Sequence, residues 1–148
     1  MFELIEGKHR ERIENYFYSR FGVGKDFFID KIFLKKGNYC WMAFKDLIKA
    51  LSEKNSLNAG ILLFLDINNF RLTSLGIRLF EKEIKENIVS LNEIQVKEFL
   101  NNKKFELTEK QLTQIKSDGE IALKFEEFVI GVGEKKGNEL IPSIARKN

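Results

Sequence analysis

The chain has 148 residues, of which 43% are hydrophobic and 32% charged, and its formal net charge is +3. This length suits one ordinary domain or two small ones, and 14 Phe residues provide ample core material, which argues against intrinsic disorder. The single cysteine, Cys40, excludes an internal disulfide and a cysteine-rich zinc site. The apolar runs are too short to span a bilayer, and the first residues lack the basic and apolar regions of a signal peptide. We therefore expect a cytoplasmic protein without a membrane partner.

The first half of the chain contains the predicted helix and hairpin of a small α/β domain. Ile13, Phe17 and Phe21 recur at helical spacing within residues 8–21, and Gly22 is a suitable helix end. The further elements expected here are a hairpin at 32–44 turning at Lys36-Gly37-Asn38, a helix at 45–55, an apolar strand at 59–65, a turn at 66–69 and a short strand at 70–72. A helix should then run from Thr73 or Ser74 to Ile84, with Leu75 and Leu79 facing inward and Ile77, Phe80 and Ile84 as further candidates for the inward face.

The second half is predicted to contain mostly strands. Two apolar runs flank Glu126-Glu127 and predict a hairpin, and Gly131 and Gly133 indicate a bend or a close backbone approach. The other expected elements are a strand at 88–90, a helix at 92–101 that buries Val96, Phe99 and Leu100, an edge strand at 105–107, a short helix opened by a capping box at Thr108, and a last apolar run at 140–142. The charged stretch 81–87 suggests two domains, 1–85 and 86–148.

Side chains capable of catalysis are scarce. The single histidine, His9, has no partner for a metal site, and no histidine lies near Cys40 in the sequence to activate its thiol. Asp66 ends an apolar strand, where α/β enzymes often place catalytic groups, but the following Asn68-Asn69 favours a turn. We therefore expect no enzyme activity, metal or cofactor. A small enzyme working at Asp66 is the weaker alternative.

Basic residues occur in pairs at turns and on helix faces. Residues 1–85 contain 15 Lys/Arg and 11 Asp/Glu, a balance of +4, whereas residues 86–148 contain 10 and 11, a balance of −1. Affinity for a polyanion would therefore depend on local patches. Exposed lysine pairs commonly serve solubility alone. If they converge, lysines can neutralise phosphates and arginines can stack on bases or bond them, and nearby aromatic side chains would favour looped RNA.

Several short motifs resemble a known RNA-binding module. Ile88–Glu93, Phe99–Lys104, Ile130-Gly-Val-Gly133 and Leu140-Ile-Pro142 with Arg146 resemble, in their order, a PUA-like module in the form found at the C-terminus of the Fmu/Sun class of RNA cytosine-5 methyltransferases. The upstream motifs Tyr18–Gly22, Phe33–Gly37 and Phe70–Ser74 resemble the segment that precedes this module in those enzymes. The overall plan is also similar to small ribosome-assembly factors with an α/β domain followed by a PUA domain. The methyltransferase domain itself is missing, so methyl transfer does not carry over. Asparagine and lysine replace the family's arginine or glycine in the loop after the first PUA helix.

The resemblance implies an α+β protein in which a small N-terminal α/β domain precedes a C-terminal PUA-like mixed β-barrel. It also implies noncatalytic binding of rRNA or tRNA by an accessory factor in ribosome biogenesis or RNA modification. The expected RNA contacts are Lys35, Lys36, Arg71 and Arg78 in the first half and Lys103, Lys104, Lys124, Arg146 and Lys147 in the second. The alternative is an adaptor that docks to a separate RNA-modifying enzyme or ribosomal protein. An exposed apolar patch around Phe27, Phe28 or Trp41 would favour the adaptor.

Overall fold

The computed structural model describes residues 2–47 and 60–143, which form a mixed α/β fold with two five-stranded sheets, one of them a curled half-barrel. The first sheet is an antiparallel meander in the order β1-β2-β3-β4-β5. Its elements are β1 (Glu3–Ile5), α1 (Gly7–Phe21), a 3-10 turn (Lys25–Phe28), β2 (Lys31–Lys36), β3 (Tyr39–Phe44), a 3-10 turn (Lys45–Leu47), β4 (Gly60–Asp66) and β5 (Arg71–Leu72). The predicted helix at 45–55 lies outside the described residues beyond Leu47.

The second sheet has the order β6-β8-β9-β10-β7, in which β6 runs parallel to β8 and the other pairs are antiparallel. The elements from residue 74 onward are α2 (Ser74–Arg78), β6 (Ile88–Ser90), α3 (Glu93–Leu100), β7 (Phe105–Glu106), α4 (Glu109–Leu112), β8 (Gly119–Phe125), β9 (Phe128–Lys136) and β10 (Glu139–Pro142). The two predicted hairpins are confirmed, with turns at Gly37-Asn38 and Glu126-Glu127. This arrangement is compatible with a PUA-like barrel.

A phenylalanine cluster forms the larger core, and both sheets contribute to it. Phe17 of α1 and Phe80 are fully buried, and their rings stack with centroids 4.3 Å apart. Val129 and Val132 of β9 belong to the same core cluster. A second cluster lies within the second half, among Val89, Leu91, Leu107, Ile121, Leu123 and Leu140. The predicted boundary near residue 85 falls between the two sheets, but the larger core is continuous across it.

Two polar residues reinforce this junction. The guanidinium of Arg20, on α1, donates to the carbonyl oxygens of Glu120 (2.7 Å) and Ser117 (2.9 Å) and to the Ser117 hydroxyl (2.6 Å). The buried Asn87 amide donates to the Arg20 carbonyl oxygen (2.6 Å), and its oxygen accepts from the Lys116 backbone N–H (2.9 Å). These bonds connect α1 directly to the start of the second sheet.

Two side-chain amides hold the helices of the second half together. Asn92 and Thr108 each open a helix with a capping box, so the predicted box at Thr108 is confirmed. The glutamines that complete the boxes, Gln95 and Gln111, also donate to each other's side-chain oxygens at 2.9 and 2.7 Å. Both side chains are buried. Because each amide satisfies a helix end as well as its partner, the pair fixes α3 against α4.

The helix that follows β5 differs from its prediction. It ends at Arg78 instead of Ile84, and Leu75 and Leu79, expected to face inward, are 57% and 40% exposed. The reason is the close approach of Gly76 to β4, because a Cβ at Gly76 would lie 3.1 Å from the Leu62 carbonyl oxygen. Gly76 therefore marks the packed face, which places Leu75 and Leu79 on the outside.

The end of α3 also differs from its prediction. Leu100, expected to be buried, is exposed at the end of the helix, whereas Val96 and Phe99 pack against the second core cluster. Val96 lies three residues from Phe99 and four from Leu100, so spacing alone is compatible with either neighbour. The helix ends at Leu100, which is 72% exposed. The predicted close approach at Gly131 is confirmed, because a Cβ there would lie 2.5 Å from the Phe99 ring.

Candidate nucleic-acid interface

The outer face of the first sheet presents aromatic and basic side chains. Side chains alternate between the two faces of a strand, and the buried Phe33 and Met42, which pair across β2 and β3, point toward α1 and the phenylalanine core. Lys36, Tyr39 and Trp41 therefore lie on the opposite face. Lys36 and Tyr39 are a register pair and are both exposed.

These side chains line a groove of about 1010 Å³, which we call the aromatic–basic groove. The Phe2 and Trp41 rings meet edge to face with centroids 5.0 Å apart, and the Tyr39 ring lies 6.0 Å from Trp41. The Lys36 ammonium lies 5.4 Å from the centroid of Phe2. The full lining is Phe2, Lys36, Gly37, Asn38, Tyr39, Trp41, Leu65, Asp66, Asn69 and Arg71.

Two turns form the rim of this groove and bond to each other. The Ile67 backbone N–H donates to the Asn38 carbonyl oxygen (2.9 Å), and the Asn68 amide donates to the Asn38 side-chain oxygen (3.2 Å). Gly37 adopts φ +60°, which allows the tight hairpin turn that carries Asn38. The turn at 66–69 is thus fixed against the tip of the β2–β3 hairpin.

Asp66 serves this rim as a turn residue. Its carboxylate accepts from the Asn69 amide (2.7 Å) and from the Asn68 backbone N–H (3.0 Å). The hydrogen bond from the Asn69 side chain lowers the pKa of Asp66, and the backbone N–H groups of Asn68 and Asn69 and the charge of Arg71 act in the same direction. A general base works best with a pKa near the working pH, so a lowered pKa supports the turn interpretation over a catalytic one. The rest of the described chain holds no cluster of three or more His, Cys, Asp or Glu side chains suited to a metal.

The cysteine lies on the core side of the same sheet. Cys40 is fully buried, and burial raises the pKa of its thiol to about 12. A thiolate nucleophile requires a lowered pKa and access to solvent. Cys40 has neither property and acts as a small core residue.

The structure brings together two of the predicted RNA contacts and separates others. Lys36 and Arg71 both line the aromatic–basic groove, where an Arg71 guanidinium nitrogen lies 3.4 Å from the Ser143 carbonyl oxygen. Lys35 is exposed on β2, and by the alternation of the strand it points to the other face. Arg78 lines a different groove, beside α2.

The predicted contacts of the second half lie elsewhere. Lys103 and Lys104 are exposed in the loop after α3, where the Lys104 ammonium lies 3.5 Å from the carboxylate of Glu139. Lys124 lines a cleft with Glu81, Glu86 and Glu127, among other residues. Arg146 and Lys147 lie outside the described residues. The predicted contacts that the structure describes are therefore divided among several surfaces, and Lys104 and Lys124 have acidic neighbours.

The groove also contains residues that the sequence did not indicate as RNA contacts, namely Phe2, Asn38, Tyr39, Trp41 and Asn69. The sequence does contain a signal for two of these residues. Across a two-residue hairpin turn Lys36 faces Tyr39, and Trp41 lies two residues further along the strand, so all three side chains share one face of the sheet.

Neither the models of known protein families nor the curated proteins match this chain. The resemblance to PUA-like modules therefore stays a prediction. Within residues 2–47 and 60–143, no helix has the length and apolar character needed to cross a membrane.

Proposed function

We propose that this protein binds structured RNA without catalysis, as an accessory factor in ribosome biogenesis or RNA modification. The observation that supports this function best is the aromatic–basic groove, in which Tyr39 and Trp41 lie between Lys36 and Arg71. Aromatic faces stack on unpaired bases, and the flanking cations attract phosphates. Tyr39 is 49% exposed, so its ring is available to a base.

The composition of the groove favours unpaired nucleotides over a duplex. Stacking requires bases that can leave their own helix, and sequence-specific RNA recognition mostly targets loops, bulges and ends. The amides of Asn38 and Asn69 at the rim can bond base edges. The groove therefore suits a loop of a folded RNA. The choice of rRNA or tRNA follows from the resemblance of the second half to PUA-like modules.

Binding can be tested with a fluorescein-labelled RNA hairpin that has an unpaired loop, alongside a fully paired duplex of the same stem. We expect the hairpin to bind more tightly than the duplex in fluorescence anisotropy. Tyr39→Ala should weaken hairpin binding by about 5- to 150-fold, the equivalent of one lost stacking contact of about 1–3 kcal/mol. Tyr18→Ala is the matched control, because Tyr18 is 61% exposed on α1 and does not line the groove. Equal loss in both variants would contradict the proposed stacking.

Salt dependence tests the basic residues separately. The logarithm of the association constant falls linearly with the logarithm of the salt concentration. Each lost phosphate contact should make this negative slope shallower by about 0.7–0.9. We expect this change for Lys36→Ala, and for Lys103→Ala combined with Lys104→Ala if the second half also binds. The control is Lys97→Ala, an exposed lysine on α3. An unchanged slope for the double variant would remove both lysines from the site, and an unchanged slope for Lys36→Ala would remove Lys36 from the phosphate contacts of the groove.

A further inference from the structure

A second groove lies between α2 and β9. It has a volume of about 510 Å³, and we call it the leucine–phenylalanine groove. It is lined by Leu75, Arg78, Leu79, Glu81, Phe128, Val129 and Ile130. It lies at the junction of the two halves, between residues 75–81 and the first residues of β9.

Side-chain bonds fix the walls of this groove. The Ser74 hydroxyl accepts from the Val132 backbone N–H (3.1 Å), and the Glu81 carboxylate accepts from the Val129 backbone N–H (2.6 Å). Residues 74–81 therefore run alongside β9 and are bonded to it at both ends. A groove with fixed walls reduces the ordering entropy that binding would cost.

Three of the apolar side chains on these walls, Leu75, Leu79 and Phe128, are exposed to solvent instead of packing in a core cluster. Leu75 and Leu79 lie four residues apart and are 57% and 40% exposed, while Ile77 and Phe80 of the same segment are fully buried. Phe128, at the start of β9, is 63% exposed. Single exposed apolar residues are common, but several that share one groove are typical of a docking surface.

The charge of the groove indicates which partner it fits. Arg78 lies between the two leucines and is exposed, and no described residue forms an ion pair with it. A polyanionic strand would meet Glu81 in the groove and Glu126 and Glu127 in the turn before Phe128. A protein segment can instead place one carboxylate on Arg78 and keep apolar side chains elsewhere.

We propose that the leucine–phenylalanine groove docks an amphipathic helix of a partner protein, which presents apolar side chains on both sides of an Asp or Glu that pairs with Arg78. Helices that bind grooves in this way insert side chains spaced three and four residues apart. This role is separate from RNA binding at the aromatic–basic groove. It assigns to Arg78 a protein contact in place of the phosphate contact suggested by the sequence.

The test begins with a phage-displayed peptide library selected on the full-length protein. We expect enriched peptides with apolar residues at helical spacing around a carboxylate. A fluorescein-labelled synthetic peptide of the enriched sequence should then bind Arg78→Glu about tenfold or more weakly than the wild-type protein. Replacing the peptide carboxylate with lysine should restore binding to Arg78→Glu and weaken binding to the wild type. Leu79→Asp should also abolish binding.

Matched controls keep the result specific. Lys97→Glu reverses an exposed charge on α3, and Ile94→Asp replaces an exposed apolar residue of the same helix, so neither should change peptide binding. Near-UV circular dichroism checks that each variant is folded.

Three outcomes would overturn the proposal. Enriched peptides that lack a carboxylate, or binding that Arg78→Glu leaves unchanged, would contradict the predicted pairing. The groove would instead be an RNA-binding surface if the RNA hairpin displaced the peptide and if Arg78→Glu made the salt dependence of RNA binding shallower. Self-association in sedimentation equilibrium that Leu79→Asp abolishes would assign the groove to a second copy of this chain. The RNA tests on Tyr39 and Lys36 are independent of all three.

Discussion

The reciprocal amide pair in the second half offers a sharp test of the structure through Gln95→Glu. The Gln95 amide nitrogen donates to the Glu106 carbonyl oxygen (3.2 Å) and to the Gln111 side-chain oxygen (2.9 Å). Glutamate has nearly the same shape, but it replaces this double donor with an oxygen. Both acceptors would lose a donated hydrogen bond and face a buried negative charge. Each unsatisfied buried group costs about 1–3 kcal/mol, so we expect the free energy of unfolding to fall by about 3–5 kcal/mol near neutral pH.

The loss should depend on pH. Burial beside two acceptor oxygens raises the pKa of the introduced carboxyl above its unfolded value of about 4.3. Between these two pKa values the folded variant holds a proton that the unfolded chain has released, so its stability falls as pH rises through this window. Below the window the protonated acid can donate one bond, and roughly half of the loss should be recovered.

Urea unfolding followed by circular dichroism at a series of pH values measures this effect. Gln114→Glu is the matched control, because Gln114 is exposed on the turn after α4 and donates no side-chain bond to the pair. Its stability relative to the wild type should change little. A loss below about 1 kcal/mol in Gln95→Glu, or a loss that does not vary with pH, would refute the reciprocal network.

Three further predictions concern the junction and the core. Gly131→Ala should lower the free energy of unfolding by about 1–3 kcal/mol, measured by urea unfolding, because its Cβ would lie 2.5 Å from the Phe99 ring. An unchanged midpoint of the urea transition would show that the Phe99 ring moves freely. Arg20→Lys should cost about 1–2 kcal/mol in the same assay, since lysine cannot reproduce the fork that bonds both groups of Ser117; wild-type stability would contradict the bonding seen at this junction. Cys40, with its raised pKa, should react with iodoacetamide about a hundredfold or more slowly in the native protein than in urea, and equal rates would mean that the thiol is accessible.

Local signals in the sequence predicted much of the fold. The capping box at Thr108, the hairpin turns at Gly37-Asn38 and Glu126-Glu127, and the glycine that ends α1 all depend on residues close in the chain. Such features are set by short-range hydrogen bonds and backbone preferences, which a single sequence reveals. The junction formed by Arg20 and Asn87 depends on distant residues and was not foreseen.

The error at α2 has a specific physical cause. Periodicity shows that a segment has an apolar face, but Leu75-Gly-Ile-Arg-Leu-Phe80 contains apolar residues on more than one side. The pattern favours Leu75 and Leu79 as inward residues and offers Ile77 and Phe80 as further candidates, and the structure buries the second pair. Gly76 determines which face of α2 is buried. Because it has no side chain, the helix can approach the backbone of β4 on that face.

The aromatic–basic groove could not be assembled from the sequence, because its position depends on an irregularity in the first sheet. Strict alternation would place only one of Leu63 and Phe64 in the core, yet both are fully buried. The pairing of β3 with β4 shifts register between Cys40 and Trp41, so β4 has an extra residue at this point. Beyond the shift, Leu65 and Asp66 line the groove and the following turn meets the tip of the β2–β3 hairpin. Bulges commonly redirect side chains next to binding sites, and an unbroken apolar run such as Gly60–Leu65 gives no sign of where one will occur. This shift, together with a second one between Phe64 and Asp66 where β4 pairs with β5, accounts for how Arg71 and Lys36, far apart in the chain, come to line the same groove.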